Sequence, residues 1–128
     1  MRSTSRQTAH VERIGPTENR NADLDGGYTV DFLTFDVEMD GTELVRGLDG
    51  DMCQCPHWGY VFAGTLTFKD ANGQETFGPG DAFYVGPGHV PVWGEGLEYL
   101  QFSPTEDLRI VSEHIVARIR EMAAGPRA

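Results

Sequence analysis

At 128 residues the chain is long enough for one domain with its own core and too short for two of ordinary size. Lys and Arg number 10 against 20 Asp and Glu, for a formal charge of -10 and a pI near 4.6, a balance that repels nucleic-acid phosphates and anionic lipid surfaces. No apolar run approaches the roughly 20 residues of a membrane helix, and no apolar stretch follows the basic residues of MRSTSRQTAHVERIG, so a cytoplasmic protein without nucleic-acid or membrane partners is expected.

In chain order, residues 1–22 are polar and lack either periodicity, which predicts a mobile arm or an edge strand taken up by a partner subunit. The chain has 16 Gly and 7 Pro, and from 23 to 104 they fall between short apolar-alternating runs, the punctuation of an all-β domain. Strands are predicted at 28–38, 43–46, 58–63, 65–69, 74–77, 82–85, 89–93 and 97–102. In the first, Leu33, Phe35 and Val37 alternate with Thr34 and Asp36, the period of a strand with one buried face. Asp70-Ala71-Asn72-Gly73 is read as a hairpin turn joining the strands of Phe68 and Phe77. Beyond Pro104 the spacing changes to three and four: Leu108, Val111, Ile115, Ile119 and Met122 predict one helix within 105–128, packed on the barrel, with Thr105 as its N-cap.

The chemistry-bearing residues lie in two segments. Cys53-Gln54-Cys55-Pro56-His57-Trp58-Gly59-Tyr60 runs into an apolar strand that ends at Gly64, and Gly80-Asp81 opens a strand that leads through Gly86-Pro87-Gly88 to His89. These segments resemble the two motifs of the cupins, and the stretch from Cys53 to Phe102 is similar to a cupin core. The resemblance implies an antiparallel double-stranded β-helix, or jelly-roll barrel, with one C-terminal helix and a metal at the barrel mouth. The usual ligand pattern does not transfer. His57 stands where the usual motif has glutamate, Asp51 and Cys53 where it has two histidines, and Pro91 where the second motif has its histidine. Standard non-haem iron oxygenase chemistry is therefore not implied.

A disulfide across one residue would be badly strained, so Cys53 and Cys55 read better as metal ligands. If the backbone is extended from 51 to 57, Asp51, Cys53, Cys55 and His57 share a face. His89 shares a face with position 91 and is expected to reach the same site. The predicted ligands are Cys53, Cys55, His57 and His89, with Asp51 as a further ligand or an acceptor for a histidine N–H. Thiolate and imidazole suit one transition metal ion, zinc first, with iron or copper as alternatives. Haem is set aside, because a Cys-Pro dipeptide is common by chance.

Each residue has a blander reading. A buried cysteine is usually a small hydrophobe, and a lone histidine more often a hydrogen-bonded core residue. Two functions follow from the ligand count: three protein ligands leave a position for a small-molecule substrate of a metal-dependent enzyme, and four close the shell of a binding or sensing module. Trp58, Tyr60 and Phe62 occupy the opposite parity, and with the unpaired sheet edge they predict a homodimer. His10 and His114 are expected in solvent, and no general base is legible.

Overall fold

The computed structural model describes residues 1–125; the tail expected at 126–128 lies outside them. Ten strands form two sheets. The larger has the order β1 (His10–Ile14), β2 (Thr17–Leu24), β3 (Tyr28–Phe35), β10 (Glu98–Pro104), β5 (His57–Ala63), β8 (Ala82–Val85). The smaller has the order β4 (Met39–Asp40), β9 (Val90–Trp93), β6 (Leu66–Asp70), β7 (Gly73–Phe77). All pairings between the named strands are antiparallel, and the two inner faces enclose a core of Phe35, Val61, Leu66, Phe68, Phe83, Trp93, Leu97 and Tyr99. The expected all-β double-stranded β-helix with a C-terminal helix is the observed architecture.

The N-terminal segment departs from the expected arm. Residues 10–24 are a β-hairpin added to β3, with Asn21 opposite Asp31 and Thr17 opposite Phe35. The reason is visible in its polarity: Thr17, Asn19, Asn21 and Asp23 alternate onto the cavity side, so the strand has period two in polar residues where an apolar row was sought. Residues 43–46 were expected to be a strand, but Thr42–Val45 is a one-turn helix, α1, which buries Leu44 and Val45. The second helix, α2, runs Thr105–Ala124. Its N-cap is Pro104, without a side-chain cap, because the Thr105 hydroxyl bonds instead to that of Thr29 at 2.8 Å. α2 docks on α1 through His114, whose Nε2 lies 2.7 Å from the Arg46 carbonyl, and through Arg118, which donates to the Glu43 carbonyl. His114 is thus a tether between helices, half-buried rather than free in solvent. No helix among the described residues is long and apolar enough to cross a membrane.

Candidate metal centre

The two motif segments meet through their backbones. Cys53 and His89 form an isolated antiparallel bridge, in which the Cys53 N–H donates to the His89 carbonyl (2.7 Å) and the His89 N–H returns to Cys53 (3.1 Å). Gly88 makes this possible: its φ of +89° lies where a side chain is disfavoured, and its own N–H also reaches the Cys53 carbonyl. His57 opens β5, opposite Val85 of β8, with its ring turned inward. The donor atoms of Cys53, His57 and His89 all lie within 4.8 Å of one another, and all three residues are buried.

The hydrogen bonds around the cluster fix which ring atoms face it. His89 Nδ1 donates to the Gly86 carbonyl at 2.7 Å, which leaves Nε2 as the bare acceptor; that atom is buried and has no partner among the described residues. His57 Nδ1 lies 2.7 Å from Ser103 Oγ, and its Nε2 is 3.7 Å from Cys53 Sγ. In each histidine one nitrogen is anchored from outside and the other is aimed inward, the arrangement by which proteins orient imidazole ligands. Metal bonds of 2.0–2.3 Å at a tetrahedral angle separate two ligand atoms by roughly 3.5 Å, close to the Cys53–His57 spacing.

Burial disfavours charge on each donor of the cluster. Burial holds the His57 imidazole down at about 3, aided by the neighbouring His89, and burial also lowers His89. Neither ring competes for a proton at neutral pH, so both lone pairs are free. Burial pushes the Cys53 thiol up to about 11; a divalent ion would replace that proton, and its binding would strengthen as pH rises.

The other two predicted residues stand apart from this cluster. Asp51 sits in a short 3-10 turn at φ 56°, exposed, with Oδ1 accepting from the Gly47 N–H. The extended backbone that would align it with Cys53 breaks there. Cys55 is fully buried, but its sulfur lies near His57 Nδ1 (3.9 Å), the nitrogen on the far side from Cys53. It packs with Val45 and Val111 under α2, and burial pushes its thiol up to about 12.

The cluster forms one corner of a cavity of about 430 Å³ enclosed by the sheets and α2, within the size range of small-molecule sites. The same cavity is lined, two strands away from His57, by a residue the sequence reading did not single out. Asp31, on β3, is 3 % exposed and accepts from Gln101 Nε2 at 3.4 Å. Burial pushes its carboxyl up to about 6, against the opposing pull of hydrogen bonds from Gln101 and Asn19. The signal was present: Asp31 and Thr29 extend the inward parity of Leu33 and Phe35.

No protein-family model matches the sequence, and no curated protein does. Solved structures do. The polyketide cyclase RemF from Streptomyces resistomycificus superposes with a TM-score of 0.58 at 16% identity, over 82% of this chain and 80% of that one. An RmlC-like cupin from Shewanella frigidimarina gives 0.54 at 18% identity, over 79% and 88%. A mutant of Bacillus subtilis oxalate decarboxylase gives 0.56 at 16% identity, over 79% of this chain, which spans only 28% of that longer one. The chain has the cupin fold. Within that fold its interior corner is built of one thiol and two imidazoles.

Proposed function

We propose that the protein is a metal-dependent cupin enzyme acting on a small molecule, with a transition metal, zinc first, held by Cys53, His57 and His89. The observation that carries this reading is the buried, partnerless Nε2 of His89, aimed at the Cys53 thiol and the His57 ring. An unsatisfied buried acceptor costs about 1–3 kcal/mol, which ligation would recover. The metal would supply a Lewis acid or a water of lowered pKa. Ser103 and the Gly86 carbonyl fix the two rings, the cavity walls exclude bulk water, and α2 covers one side.

The position of Cys55 favours an open site over a closed two-cysteine, two-histidine shell, since its sulfur faces the wrong nitrogen of His57. Cobalt substitution tests this. A d–d spectrum that shifts on adding azide supports an exchangeable fourth position; a four-coordinate spectrum indifferent to azide would place the protein with non-catalytic metal modules.

The expected homodimer is also kept as a proposal. Tyr28, Trp58, Tyr60, Phe62, Tyr84 and Phe102 are all exposed on the outer face of the larger sheet. Tyr28 and Tyr84 pack edge-on or tilted against Trp58, so these three rings form one patch, and Tyr60 packs on Phe62, whose ring also carries the Arg6 guanidinium. A second copy suits this face, because twofold pairing sets uncharged rings against each other in a chain of charge -10.

A further inference from the structure

The cavity has a second polar pole, two strands across the larger sheet from His57. The registers of β2, β3 and β10 set Asn21, Asp31 and Gln101 side by side across three strands, and all three line the cavity. The neighbouring row, one pleat away, contains Thr29 and Ser103 and ends at His57 through the Ser103 hydroxyl. Two strand spacings and one pleat put Asp31 roughly 12 Å from His57, backbone to backbone, with Gln101 and Ser103 of β10 between them and the cavity of about 430 Å³ above the row. Phe35, Phe68 and Trp93 give the same cavity an apolar lining, with Phe35 stacked on Trp93 at 4.8 Å.

We propose that the Asn21–Asp31–Gln101 row recognises an uncharged ligand with a hydroxyl on a ring-sized apolar body, Asp31 accepting the hydroxyl hydrogen. The inference deepens the proposed enzyme reading and rests on it for the role of the cavity. Asp31 makes no salt bridge among the described residues; a carboxylate offers about four lone-pair sites, and the Gln101 contact is long. A buried carboxylate without a cation is costly, and a ligand's O–H would relieve that cost. The charge of the lining argues against an acid substrate. Glu12 and Asp23 add to Asp31, and the basic residue Arg109 is tied to Glu106 and Glu113 of its own helix. A carboxylate ligand at this pole would meet an unopposed negative wall.

The experiment uses benzyl alcohol and its near-isosteric anion benzoate, followed by NMR through the side-chain amides of Asn21 and Gln101, on zinc-free and zinc-loaded full-length protein. Benzyl alcohol is expected to shift both amides, with benzoate at least about tenfold weaker at this wall. Asp31→Asn keeps the shape and is expected to weaken benzyl alcohol about tenfold or more, the usual share of a charge-assisted hydrogen bond. Silent amides, benzoate equal to the alcohol in the wild-type protein, or an unchanged affinity in folded Asp31→Asn would each overturn the proposal. Protein that takes up no zinc still reports on this wall, and zinc uptake beside a silent wall overturns this proposal alone.

Discussion

The two poles of the cavity are buried to similar depth and carry different donor chemistry. At one, a thiol and two imidazole nitrogens converge with no positive charge to receive them. At the other, a carboxylate is held by amides with no cation beside it. Burial disfavours the charged form at both, with opposite results for what each can bind. It frees the histidine lone pairs by disfavouring protonation, whereas it raises the aspartate towards neutrality. On the proposed reading, one cavity combines a place for an ion with a place for a polar ligand.

The two cysteines give the largest test of that contrast. Cys53→Ala is expected to lower metal affinity about 100-fold or more, beyond the range of outer-shell changes, as read by competition with a chromogenic chelator. Cys55→Ala should keep its metal and lose only about 1 kcal/mol of stability from a small cavity. Equal metal loss in both would erase the distinction between ligand and packing residue.

Ser103→Ala comes next. It frees His57 Nδ1 without touching a ligand atom, and about 10–100-fold weaker metal binding is expected. An unchanged affinity would mean that the ring needs no outer anchor.

At the second pole the effect is on stability and depends on pH. Asp31 titrates near 6 when folded, above its ordinary 3.8, so the native state holds its proton more tightly than the unfolded chain. Its contribution is intact below about pH 4 and is lost as pH rises through 6, reaching up to about 3 kcal/mol. Asp31→Asn should therefore raise the melting temperature at pH 8 and leave it nearly unchanged at pH 4. A gain confined to low pH would show that the carboxylate is stabilised by its surroundings.

How much of this was legible in the sequence follows from the same residues. The all-β class rested on apolar alternation and Gly-Pro turns, which local physics determines, and the cupin barrel on the resemblance of the two motif segments. Cys53, His57 and His89 could be named because two motif segments carry them. Asp51 left the stripe because the chain turns there, and Cys55 could not be separated from Cys53, since parity puts both on one face and only the positions of their sulfurs against His57 tell them apart. The β1–β2 hairpin was missed because a strand whose inward row is Thr17, Asn19, Asn21 and Asp23 has no apolar period. Its identity as a cavity wall comes only from pairing with β3.

The smallest effect on stability concerns the outer face. Trp58→Glu or Tyr84→Glu should change the melting temperature of the monomer little, within about 0.5 kcal/mol for a surface site, while reducing the mass by light scattering from twice 14.1 kDa to 14.1 kDa. Wild-type protein that is monomeric at micromolar concentration would remove this proposal and leave both cavity poles as they are.

X-ray absorption on untagged protein, combined with elemental analysis, addresses the metal corner most directly, because it counts ions and their ligands together. One transition metal ion per chain, bonded to one sulfur and two imidazole nitrogens with a lighter exchangeable atom completing the shell, is the expected result. Protein that takes up neither zinc, iron nor copper, or an ion bonded to two sulfurs, would contradict it.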